Sequence, residues 1–124
     1  MLGDHPIHVV LLATDLAKAK DFYEGKIGLT LLDSNPAGLR FSSGSTQLTL
    51  SKSTTGTSDE QTQASWIVDD LDAELAELRS RGVEIQEYDT PGLKTVNGIA
   101  DIGFARIAWF IDPFKNCLGI MQPK

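Results

Sequence analysis

Two stretches of the chain carry the same succession of apolar and polar positions. In the first, the aliphatic and β-branched residues 7–13 predict a strand. Thr14 and Asp15 follow with side-chain oxygens suited to a helix N-cap. Leu16, Ala19, Tyr23 and Ile27 then recur at helical spacing, with Phe22 beside them and Lys18, Lys20, Asp21 and Glu24 on the polar face. Gly25 and Gly28 predict the end of that helix, and residues 29–32 the next strand. Beyond a turn at Asn35-Pro36-Ala37-Gly38, residues 39–43 and 47–51 predict a hairpin around Gly44-Ser45.

The second copy opens at Thr62. Residues 63–68 predict a strand, Asp69 or Asp70 a cap, and Leu71, Leu75 and Leu78 an apolar helix face with Ala73 nearby. Gly82 predicts the helix stop and residues 83–88 a strand. Asp15-Leu16 maps onto Asp70-Leu71 at an offset of 55 (70 − 15), whereas the strand at 47–51 maps onto 117–121 at an offset of 70 (117 − 47). The difference places an insertion of about 15 residues at 89–103, a stretch rich in Gly, Pro and polar residues. Strands at 104–111 and 117–121, joined by a turn at 112–116, close the chain. The pattern predicts two β-α-β-β-β modules, an α+β architecture: module one at 5–53, a polar mobile linker at 54–61 and module two at 62–122. Each helix needs burial on its sheet, so the opposite sheet faces are free to line one cavity.

The 124 residues suit a single domain able to bury a core without staples. A net charge of −6, with the basic residues scattered, excludes a nucleic-acid partner from the expectations. The single cysteine, Cys117, precludes an internal disulfide and fits a reducing compartment. No apolar run approaches a membrane span and no signal peptide is visible, so a cytoplasmic domain is expected.

The run His8-Val9-Val10-Leu11-Leu12-Ala13-Thr14-Asp15-Leu16, then Asp21-Phe22-Tyr23 and Ile27-Gly28-Leu29, resembles the opening of the glyoxalase/bleomycin-resistance/extradiol-dioxygenase superfamily, the vicinal oxygen chelate fold. Ala108-Trp109-Phe110-Ile111-Asp112-Pro113 with Asn116 resembles its closing motif. The resemblance implies two βαβββ modules whose curved, barrel-like sheet surrounds one cavity, and a homodimer. It departs after Asp112-Pro113, where the family usually has Asp-Gly and this chain has Phe114-Lys115. A Lys there is expected to be strained or to bend the turn, and Phe114 to lie on an exposed turn, against the insertion or a partner subunit.

Metal-dependent members of the family gather four inward side chains, usually His, Glu or Gln, on a divalent ion. Carried onto this chain, those positions are His8, Thr49, Gln63 and Gly119. The set holds one good ligand, one weak one, a poor hydroxyl, a residue without a side chain, and no carboxylate. A shift of two along the strands offers Gln47, Ser51, Cys117 and Met121, again without a carboxylate. No metal or other cofactor is therefore expected, with His8 and Gln63 the candidates if an ion is held at all. His8 reads instead as a pocket histidine bonded to Gln63 or Thr49. A Cys117–His8 nucleophile pair is conceivable, but a lone strand cysteine more often serves as a small buried hydrophobe.

Among the aromatics, Trp66 is expected to face its helix, and at most one of Phe104 and Trp109 to face the cavity. Arg40 and Arg106 suit either an anionic ligand or nearby carboxylates. The insertion reads equally as a lid or as a dimer contact. The leading expectation is a bleomycin-resistance-like protein that binds a drug or metabolite. The expected ligand-binding residues are His8, Thr49, Ser51, Gln63, Ser65, Trp109, Cys117, Gly119 and Met121. The alternatives are a metal-dependent glyoxalase-like lyase, isomerase or dioxygenase with a non-standard ligand set, and an interaction domain without a ligand.

Overall fold

The computed structural model describes residues 1–58 and 61–124, so positions 59 and 60 of the expected linker lie outside the described residues. The chain divides into two compact units, Met1–Gly56 and Thr57–Lys124.

In the first unit, β1 (Val9–Ala13) leads into α1 (Leu16–Lys20), followed by β2 (Thr30–Asn35), β3 (Gly38–Ser43) and β4 (Thr46–Lys52). The four strands form an open sheet in the order β1-β4-β3-β2, with β1 and β4 parallel and the other pairs antiparallel. Asp15 caps α1, its carboxylate accepting the N–H groups of Ala17 and Lys18 at 3.0 and 3.1 Å. The helix continues as a π-helical turn over Asp21–Lys26. Ala19, Phe22 and Tyr23, at i, i+3 and i+4, are all buried in the core. Tyr23, Phe41 and Leu50 are fully enclosed, and the Tyr23 and Phe41 rings lie 6.0 Å apart. Gly28 ends the segment at a φ of 79°.

The second unit repeats this plan with β5 (Thr62–Ile67), α2 (Leu71–Ser80), β9 (Ala105–Ile111) and β10 (Cys117–Pro123). Asp70 caps α2 by accepting from Ala73 N–H at 3.1 Å, the same role at the same repeat position as Asp15. The Gln122 side chain accepts the Leu71 N–H at 2.8 Å and ties the start of α2 to β10. Leu71, Leu75 and Leu78 of the helix and Ala108, Phe110, Leu118 and Ile120 of the sheet are buried. Trp66 stacks on Phe110 with centroids 5.9 Å apart, on the helix side as its alternation predicts.

The strand expected at 83–88 is absent as a regular element. It is reduced to a bridge between Ile85 and Phe110 and one hydrogen bond from Gln86 N–H to the Trp109 carbonyl at 2.8 Å. The insertion that follows is not a bare loop. It forms a hairpin of β6 (Asp89–Thr90) and β7 (Leu93–Lys94), then β8 (Ala100–Asp101), which takes the edge of the sheet in the order β5-β10-β9-β8.

The turn between β9 and β10 corrects one expectation and bears out another. Phe114 is buried, 5% exposed, rather than lying on an open turn. Lys115 adopts a φ of 67°, the left-handed conformation in which a Cβ is unfavourable. Lys115→Gly is expected to raise the free energy of unfolding by about 0.5–1 kcal/mol, the gain at Lys115 being partly offset by the freer unfolded chain. Urea unfolding followed by circular dichroism measures this, and an unchanged or lowered midpoint contradicts it. Thr57, expected in the mobile linker, is anchored here by its N–H to the Phe114 carbonyl and its hydroxyl to the Lys115 carbonyl at 2.9 Å.

Candidate functional site

The strand registers carry the repeat down to single side chains. Val10 pairs with Thr49 in the first sheet, and Ser65 pairs with Gly119 in the second, at the two repeat offsets read from the sequence. Strand alternation then sets the face opposite each helix.

In the first unit that face is polar. Arg40 lies opposite Thr49 and Gly38 opposite Ser51, beside a hollow of about 430 Å³ bordered by Asp33, Asn35, Arg40, Thr49 and Ser51. The guanidinium is engaged within this face. Its Nε donates to both carboxylate oxygens of Asp33 at 3.2 Å, Nη2 donates to the same carboxylate, and Nη1 donates to Gln47 Oε1 at 3.0 Å. The hydrogen bond from Arg40 holds the Asp33 carboxyl below the usual carboxylate range. Arg106 of the second unit likewise donates to Asp72 at 3.1 and 3.2 Å and depresses that carboxyl. Both arginines thus take the carboxylate partner rather than standing ready for an anion.

In the second unit the corresponding face is aromatic and apolar. Trp109 lies opposite Gly119 and Ile107 opposite Met121, with Ser65 and Ile67 on the neighbouring strand. The Trp109 indole N–H donates to Thr62 Oγ1 at 3.0 Å, and the ring meets Tyr88 edge to face at 5.5 Å. A Cβ at Gly119 would come within 3.3 Å of both Ser65 Oγ and Thr62 Cγ2. An added Cβ at 119 would be a tight fit, and those two side chains would have to give by a few tenths of an ångström. Cys117 is buried, consistent with the small-hydrophobe reading. Phe104 is 71% exposed, and Trp109 is the one of the two that joins this face.

Two expected residues stand differently from the sequence reading. His8 is exposed and precedes β1, whose regular pairing begins at Val9 with Leu48. Gln63 is also exposed and sits in a bulge, because Cys117 pairs with Thr62 and the next residue, Leu118, with Ala64. The bulge brings Thr62 to Trp109, a partner that sequence reasoning missed. A bulge leaves no mark in the period-two pattern, so nothing in the sequence signals it. Tyr88 was missed as a site residue for a related reason: it lies outside any regular strand and is placed by the insertion.

The ion-binding positions of the family do not fit a metal in this chain. Among the described residues no three of His, Cys, Asp or Glu come together to hold one. Of the four carried-over positions, Gly119 offers no side chain, Thr49 offers only a hydroxyl, and none brings a carboxylate. These side chains therefore support no reaction step through an ion.

Two units that each place a capped helix against a sheet of parallel and antiparallel strands, in repeated register, define a vicinal oxygen chelate fold. The chain belongs to the Glyoxalase/Bleomycin resistance protein/Dioxygenase superfamily, which it matches over residues 5–118. A glyoxalase family protein from Bacillus anthracis is similar at a TM-score of 0.75 and 19% identity, covering 97% of this chain and 95% of that one. The fosfomycin resistance protein FosX from Listeria monocytogenes is similar at a TM-score of 0.75 and 13% identity, covering 97% and 93%. TnmS3, an antibiotic binding protein from Streptomyces sp. CB03234, is similar at a TM-score of 0.67 and 27% identity, covering 96% and 98%. Comparison with curated protein sequences gave no match. Among the described residues no helix is long and apolar enough to cross a membrane.

Proposed function

We propose that this chain binds a small organic molecule bearing a planar aromatic group and retains it without transforming it, as a drug- or metabolite-sequestering protein does. The observation that carries the reading is the Trp109 indole. It is fixed by Thr62 and Tyr88 on a face otherwise built of small and apolar residues. A fixed aromatic ring offers stacking area at little cost in conformational entropy, and hydroxyls such as Ser65 add orientation. Sequestration needs affinity alone. The residues at the family's ion positions supply neither a charged donor set nor an aligned base, which favours binding over a lyase, isomerase or dioxygenase reaction. The likeness to TnmS3, an antibiotic binding protein, supports a binding role toward a drug.

The test uses calorimetric titration of tag-free protein with daunorubicin and bleomycin as probes, alongside elemental analysis for bound metal. Saturable binding of at least one probe is expected, with Trp109→Ala weakening it at least about tenfold. Stoichiometric divalent metal, or binding that Trp109→Ala leaves unchanged, overturns the proposal.

A further inference from the structure

The insertion at 89–103 has a buried polar residue at its centre, and the ligand-facing aromatic pair hangs from it. Thr95 is 7% exposed, one of the few buried polar residues of the described chain. Its backbone N–H donates to the Tyr88 carbonyl at 2.9 Å, while its Oγ1 accepts the Tyr88 N–H at 2.8 Å. The hydroxyl hydrogen faces two acceptors, Glu87 Oε1 at 3.2 Å and the Tyr88 carbonyl at 3.3 Å. Both backbone polar groups of Tyr88 are thus held by one residue. Two positions before Tyr88, the Gln86 N–H is fixed to the Trp109 carbonyl. Segment 86–88 is therefore clamped between β9 on one side and Thr95 on the other.

The insertion is itself braced against the body of the second unit. Val96 and Ile99 exchange backbone hydrogen bonds at 2.9 and 3.1 Å around a tight turn at Asn97-Gly98. The Asn97 carbonyl accepts from Arg79 of α2 at 2.9 Å. Gly98 lies so close to Ile85 that a Cβ there would meet its Cγ2 at 2.5 Å. Ala100 and Asp101 then pair with β9. These ties brace residues 95–101 of the insertion against the second unit.

We infer that Thr95 is a positioning residue for the Tyr88–Trp109 pair, and that the insertion carrying it selects planar aromatic ligands by holding the indole in one orientation. The inference rests on the binding role proposed above. A ring free to rotate accepts ligands of many shapes weakly. A ring fixed by Thr62 on its N–H, with the Tyr88 ring set perpendicular to it, is held in one orientation, so the ordering cost is met before the ligand arrives.

The test starts from a Trp66→Phe protein, in which Trp109 is the only indole. Thr95→Val keeps the shape and removes the hydroxyl, and Thr95→Ser keeps the hydroxyl. Without ligand, Thr95→Val is expected to lose about half or more of the near-ultraviolet circular dichroism of Trp109, with the far-ultraviolet spectrum unchanged, while Thr95→Ser retains it. With daunorubicin as the probe, Thr95→Val is expected to weaken binding about tenfold and Thr95→Ser by less than about twofold. A Trp109 band and an affinity that Thr95→Val leaves unchanged overturn the inference. Binding that depends on Trp109 but not on Thr95 overturns it while leaving the proposed function standing. Absence of binding in every variant overturns the proposed function and the selectivity with it, and the ligand-free band still decides whether Thr95 positions the pair.

Discussion

Phe110→Ala is expected to lower the free energy of unfolding by about 3–5 kcal/mol, a large share of the roughly 5–15 kcal/mol typical of a domain. Phe110 is 1% exposed and lies on β9 against Leu118 of β10. It stacks on Trp66 and forms the bridge that attaches Ile85 to the sheet. Truncation therefore removes a ring that stacks on the Trp66 indole at a buried position paired with Leu118, while the backbone bridge to Ile85 remains. The strands around it are hydrogen-bonded on both sides, so the cavity cannot collapse fully and the cost falls in the upper range for aromatic truncations. Urea unfolding monitored by circular dichroism gives the value. A loss below about 2 kcal/mol contradicts the account. Phe110→Leu, which refills most of the volume, is expected to recover at least half of the loss.

The modular plan was legible because both copies obey the same local physics. Asp15 and Asp70 each cap a helix, and apolar residues recur at helical spacing after them. The two offsets read from the sequence reappear as the strand pairs Val10–Thr49 and Ser65–Gly119. The parts that were not legible share a different cause. The π-helical turn at Asp21–Lys26 widens the end of the first helix, and the bulge at Gln63 turns Thr62 toward Trp109. Each is a one-residue departure from a regular period, fixed by tertiary packing rather than by residue type. Segment 83–88 alternates like a strand, yet Thr95 captures the Tyr88 backbone groups that a strand neighbour would have taken. The candidate site inherits this division. Ser65, Gly119 and Met121 followed from the repeat and its parity, which left Phe104 and Trp109 as alternatives, whereas Thr62, Thr95 and the pairing of Tyr88 with Trp109 came only from contacts across the fold.

Asp112→Ala is expected to cost about 3–5 kcal/mol, although it removes only a small side chain. The carboxylate is 4% exposed, and Asn116 beside it is fully buried. Asp112 Oδ1 accepts the backbone N–H groups of Phe114 and Asn116, each at 2.8 Å, and Oδ2 accepts the Asn116 side-chain amide at 2.7 Å. Removing the carboxylate leaves three buried donors without that acceptor in a place water does not reach, and each carries a desolvation cost of about 1–3 kcal/mol. The same three bonds shape the turn that inserts Phe114 into the core and holds Lys115 in its left-handed conformation. The loss therefore spreads to packing and to the Thr57 anchor. Asp112→Asn separates the contributions. It keeps one carbonyl oxygen for the two backbone donors but sets an amide against the Asn116 amide, so an intermediate loss of about 1–2 kcal/mol is expected. Equal losses for Ala and Asn would mean that charge, not the count of accepted hydrogen bonds, holds this turn. A loss below about 1 kcal/mol for Asp112→Ala would mean that the β9–β10 turn is held by its backbone bonds alone.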